Sequence, residues 1–139
     1  MTRVEWTCND FVYAPGLDSD HRKLFEQVEK VRRAVEHGNA THQAGLDLWR
    51  LSRMAAVHCA SEERLMQESR YPAAKWHKRQ HKAGRTKLDR LVAAEQASDR
   101  KRMDGALEDF ARWMKHHVHL ADRMFAAHLR NDQRGRSVS

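Results

Sequence analysis

Each long apolar stripe in this chain is interrupted by a histidine, and two of the stripes also carry an acid. His58 and Glu62 are four residues apart, as are His77 and His81; His117 and Asp122 are five apart, and His21 stands alone near the start. Residues four apart on an α-helix share one face, with Cβ atoms about 6 Å apart. Such a pair can grip one metal ion or two adjacent ones. A buried carboxylate without a partner is costly, so a chain that sets imidazoles and acids into its core stripes needs something that compensates them. A metal does so.

The stripes themselves are helical. The first reads Leu17, His21, Leu24, Val28, Val31, Val35, capped by Asp18 or Ser19 and ended by Gly38-Asn39. The second follows a Thr41 cap with Ala44, Leu48, Leu51, Ala55, His58, Glu62, Leu65. Tyr71-Pro72 breaks the chain, with Pro72 placed as a first helical residue. The third reads Ala73, His77, His81, Gly84, Leu88, Leu91, Glu95; the fourth, capped by Ser98, reads Leu107, Phe110, Met114, His117, Ala121, Phe125, His128. Steps of three and four suit bundle cores. The spacing predicts an all-α domain, an up-down-up-down antiparallel four-helix bundle over residues 18–130. An N-terminal arm, 1–17, precedes it with Trp6 and Phe11, and a polar tail, 131–139, frays after it.

Antiparallel neighbours also place the polar residues at one height. At 1.5 Å per residue, Glu62 lies roughly 12 Å before the Tyr71-Pro72 break, and His77 and His81 lie roughly 8 and 14 Å beyond it. His21 enters at the same end, and His117 and Asp122 return to it. Among ten histidines, His37, His42, His116, His119 and His128 read as non-ligands. His116 points away from its stripe and His119 falls to one side. His117 is favoured, although His119 and Asp122, three apart, form the neater local pair. An offset of five spreads two side chains about 140° around an ideal helix, so local overwinding or a π-bulge near His117 is expected.

Charge and cysteines narrow the class. The net charge is +7, but Lys and Arg are spread over all four segments, and no aromatic–basic interleaving points to nucleic acid. The basic face suits at most a weak contact with an acidic protein or a membrane surface. Two cysteines, Cys8 and Cys59, make neither a disulfide framework nor a Cys-based zinc site. No apolar run reaches membrane-spanning length and no leader is visible, so a cytoplasmic protein is expected.

These residues resemble a known family, the hemerythrins, and its bacterial single-domain form in particular. The motif elements are Asp18, His21, Leu24 and Phe25; His58, Glu62, Glu63, Leu65 and Met66; Tyr71-Pro72 with His77 and His81; and Trp113, His117 and Asp122, with Trp6 in the arm. The resemblance runs from Trp6 to about Leu129 and implies a non-haem diiron site. One iron would take His77, His81 and His117, the other His21 and His58. Glu62 and Asp122 would bridge them beside an oxo or hydroxo group, leaving an open position for O2 on the two-histidine iron. Met114, where the family often has Leu, would line the O2 pocket; Val28-Glu29 stands where many members have Ile-Asn. Asp18 could cap its helix or hydrogen-bond a ligand imidazole.

The donor chemistry separates the candidate functions. Oxidising diiron sites in ferritin-like bundles are carboxylate-rich, and anionic oxygens favour high-valent iron. Five neutral imidazoles with two carboxylates favour the ferrous state and reversible O2 binding, for transport, storage or sensing, by a protein that is not an enzyme. Diiron oxidase or peroxidase-like catalysis, or NO or iron handling, is the alternative at the same site.

Overall fold

The computed structural model describes residues 5–37 and 41–138. A short 3-10 turn, Cys8–Asp10, leads into α1 (Pro15–Glu36), followed by α2 (Thr41–Glu68), α3 (Ala74–Gln96) and α4 (Arg100–His117). A π-helical turn, Val118–Asp122, joins α4 directly to α5 (Arg123–Val138). Each of α1 to α4 packs against the next and α4 closes against α1, so the expected four-helix bundle is formed, with α4, the π turn and α5 as its fourth rod. Among the described residues no helix is long and apolar enough to cross a membrane.

The core follows the stripes. Phe25, Leu51, Met66, Leu91, Leu107 and Phe125 are fully buried, each worth about 1.5–3 kcal/mol relative to exposure. Two stripe positions move by one residue. Met66 and Ala94 are buried where Leu65 and Glu95 were expected, and Leu65 lies 36% exposed. The reason is local: His58, Glu62 and Met66 continue in steps of four, so the face that holds the ligands selects Met66.

Helix ends differ more. Asp18 lies inside α1, which begins at Pro15, and its Oδ1 accepts the Val12 N–H at 2.8 Å. It therefore ties the arm down instead of capping α1. Gly38-Asn39 and the Thr41 side chain lie outside the described residues. Ser98 is not the cap of α4. Its φ of 53° closes α3 in a left-handed turn, with Asp99 N–H donating to Ala94 O and Ser98 N–H to Glu95 O. Asp99 then caps α4 by accepting the Arg102 N–H. Arg70, φ 54°, ends α2 in the same way. Pro72 sits in the following turn, two residues before α3. The last rod continues to Val138, past the boundary expected near residue 130.

The arm is strapped to the fourth rod. Asp10, fully buried, closes a capping box with Thr7 and receives Lys115 Nζ at 3.0 Å and His119 Nε2 at 2.6 Å. Arg123 donates to Asn9 O, and Arg130 to Val12 O. Trp6 packs edge-on against Phe25, ring centroids 5.3 Å apart, and lies 6.3 Å from the ring of His21.

Candidate metal centre

All seven residues singled out for metal binding meet at one height in the bundle, and all are buried: His21 from α1, His58 and Glu62 from α2, His77 and His81 from α3, His117 from the end of α4 and Asp122 from the π turn. The π turn brings the last two together. It adds a residue to the turn that separates them, and Asp122 Oδ1 lies 3.1 Å from His117 Nε2. The rival His119 is 39% exposed at its side chain and turned to Asp10. His128 faces the Ser69 carbonyl.

The two carboxylates divide their oxygens between two groups of imidazoles. Glu62 Oε1 faces His77 and, at 3.2 Å, His81; Asp122 Oδ1 lies 3.1 Å from both His77 and His117. Glu62 Oε2 lies 3.0 Å from His58 Nε2, and Asp122 Oδ2 lies 2.9 Å from His21 Nε2. The ring centroids of His77, His81 and His117 are 4.7 to 5.1 Å apart, as a triangle, and His21 and His58 form a pair at 5.1 Å. Two groups that could each hold a metal ion result: Glu62, His77, His81, His117 and Asp122, and His21, His58, Glu62 and Asp122. Both carboxylates belong to both groups.

These contacts are not a hydrogen-bond network. Nε2 of His21, His77, His81 and His117 and all four oxygens of Glu62 and Asp122 are buried without a hydrogen-bond partner. Buried polar atoms are rarely left so. Their lone pairs converge on shared points, and cations at those points satisfy them together, so the donor set fits a pair of metal ions.

The electrostatics agree. Burial holds the His58 imidazole down, but the Glu62 and Asp122 carboxylates outweigh it and push it up to about 9. His77 is raised in the same contest, by Asp122 and Glu62 against burial. Burial and the Asp122 charge push Glu62 up, yet His58, His77 and His81 bring it down to about 2. Asp122 is likewise held well below the ordinary carboxylate range, with His117, His21 and His77 overcoming its burial. The two carboxylates thus demand positive charge, which protons on the imidazoles or metal ions can supply.

Acids outside the cluster orient two of the rings. His58 Nδ1 lies 3.2 Å from Asp20 Oδ2, and His81 Nδ1 lies 2.9 Å from Glu63 Oε2. Such contacts fix the tautomer and raise ligand basicity. Of the two roles open to Asp18 in the sequence, neither is filled; Asp20 and Glu63 contact the imidazoles instead, and each directly neighbours a cluster residue in the chain, His21 and Glu62. Trp113 stacks on His117 with centroids 4.8 Å apart, and Gly84 lets it do so, since a Cβ there would lie 2.2 Å from the Trp113 ring.

A cavity of about 260 Å3 opens on the cluster from between α2 and α3. His21, His58, His81, His117 and Asp122 line it, together with Met114, the residue expected at an O2 pocket. The two-histidine group offers four protein ligand residues against five in the other, and residues of both groups meet the cavity.

No curated protein matches the chain. The family model for the hemerythrin HHE cation binding domain matches residues 14–129, a span that contains α1 to α4, the π turn and all seven buried residues. The chain belongs to the hemerythrin HHE cation-binding family.

Proposed function

We propose that the protein binds dioxygen reversibly at two iron ions, one held by His77, His81 and His117, the other by His21 and His58, with Glu62 and Asp122 shared between them. The observation that carries this reading is the division of the carboxylate oxygens: each acid offers one oxygen to each imidazole group, and a largely apolar cavity reaches the centre they share. Iron held by these residues would supply the electrons that reversible dioxygen binding needs. The protein residues supply the rest. Five neutral imidazoles limit the anionic donors to two carboxylates, apolar side chains such as Leu88, Phe110 and Met114 wall the approach, and Asp20 and Glu63 hold two rings in place.

The protein acts as a binder, not an enzyme. Glu62 and Asp122 are the buried acids of the cluster, and the other buried acids among the described residues, Asp10 and Asp47, face the arm and Gln43. No buried acid beyond the two shared ones stands ready to relay protons to the centre. Its two free cysteines suit a reducing cytoplasm.

The test is an optical spectrum of the iron-loaded protein, reduced without air. Air should raise an oxo-to-iron charge-transfer band that disappears on purging with inert gas, over repeated cycles. Irreversible conversion to a ferric form in the first cycle overturns the carrier reading, and a protein that takes up no iron overturns the diiron site.

A further inference from the structure

The cavity beside the cluster is much larger than a diatomic gas requires. It encloses about 260 Å3, whereas a water molecule occupies about 30 Å3 and an apolar cavity of about 150 Å3 accommodates benzene. Its space has a definite origin. Facing it, α2 carries only short side chains beside its ligand, Ser52, Ala55 and Cys59 among them, while Leu88, Phe110 and Met114 form an apolar wall. Gly84 adds no room, because the Trp113 ring fills the place of its side chain.

One polar atom of the wall, away from the cluster, is without a partner. Ser52 Oγ is buried and has no hydrogen-bond partner, although Ser52 lines the cavity. A lone buried hydroxyl is worth satisfying, and a guest with one polar group can do so. The imidazoles of His21, His58, His81 and His117 and the Asp122 carboxylate form its inner end, and the exposed residues Arg85 and Asp89 mark where it meets solvent.

We propose that this cavity is a binding site for a small apolar organic molecule bearing one hydrogen-bonding group, of the size and kind of phenol. The ring lies against Met114, Phe110 and Leu88, and its hydroxyl pairs with Ser52 Oγ. The guest occupies the space between the surface and the centre, so it slows the approach of a gas from solvent. This last consequence rests on the dioxygen reading; the binding itself does not.

The experiment titrates the reduced, iron-loaded protein with phenol and with toluene, its near-isostere, by calorimetry without air. Phenol should saturate one site with a dissociation constant of roughly 0.1–1 mM, several-fold tighter than toluene. Ser52→Ala should remove that preference. Ser52→Leu, or Ala55→Leu where the first fails to fold, should abolish both while helicity and iron content stay unchanged. Absence of saturable phenol binding, or binding that survives both filling variants, overturns the proposal. In a second arm, saturating phenol should slow the appearance of the aerobic band several-fold. Phenol that binds without slowing it overturns the gating. A reduced protein that binds phenol but never reacts reversibly with dioxygen overturns the proposed function and leaves the cavity site standing.

Discussion

His117 Nε2 and Asp122 Oδ1 meet at 3.1 Å across a single π turn. Five residues apart on a regular α-helix they diverge by about 140°; the wider turn closes that angle. Removing one residue restores an α-helical count and rotates one partner away. Deleting the half-exposed Leu120 should therefore keep the chain helical but separate Asp122 from the four helices' shared site. On the proposed diiron reading, iron per chain should fall from two to one or none. Circular dichroism and elemental analysis check this, and a deletion variant that retains two irons shows that the π turn is dispensable.

Much of this was legible because metal ligation and helical packing impose the same period. Steps of three and four located His21, His58, Glu62, His77 and His81 on inward faces, and antiparallel geometry set their common height. His117 is not fixed by the stripe alone, since its offset from Asp122 fits only a distorted helix, and the distortion depends on packing that a stripe does not encode. Helix ends escaped for a related reason. Arg70 and Ser98 adopt left-handed φ without being glycine, so composition gave no sign of them. Asp20 and Glu63 were hidden because an acid beside a ligand reads as ordinary surface charge until the ring it faces is known.

Glu63 and Asp20 should be felt in metal affinity without entering the cluster. Outer contacts to ligand imidazoles are worth about 10–100-fold in affinity. Glu63→Gln keeps the shape but weakens the acceptor for His81 Nδ1. We expect iron binding weakened by about tenfold, with stoichiometry preserved, and a smaller loss for Asp20→Asn, whose contact is longer, 3.2 Å against 2.9 Å. Competition with a chelator measures both. An unchanged affinity in Glu63→Gln counts against an orienting role.

The cluster also sets how stability depends on pH when protons, not metals, balance the carboxylates. His58 rises from its ordinary 6.5 to about 9, against burial and through Glu62. Its contribution is complete below pH 6.5 and is lost as pH climbs through 9. Glu62 falls from 4.5 to about 2, so its contribution is present above pH 4.5 and is lost as pH drops toward 2. The iron-free protein should be most stable between about pH 5 and 6.5, with a melting temperature lower by roughly 5 °C or more at pH 9. Metal binding displaces those imidazole protons, so the iron-loaded protein should show no such fall. Calorimetry of both forms from pH 5 to 9 decides. A parallel decline in the two forms removes the cluster as its cause.

Gly84 and Trp113 give the most local of these expectations. A Cβ on Gly84 would lie 2.2, 2.4 and 2.5 Å from three atoms of the Trp113 ring, and the ring cannot simply retreat. It stacks on His117 at 4.8 Å and on Phe110 at 5.9 Å, so relief requires Trp113 to slide off the ligand imidazole or α3 to move from α4. Overpacking of this kind costs about 1–3 kcal/mol. Gly84→Ala should lower stability by that amount, shift tryptophan emission toward the red and loosen His117. Trp113→Phe removes part of the obstructing ring, so Gly84→Ala made on that background should cost less than it does alone, a coupling that a double-mutant cycle reads directly. Equal costs on both backgrounds would place the strain elsewhere than in the contact between this glycine and the tryptophan above His117.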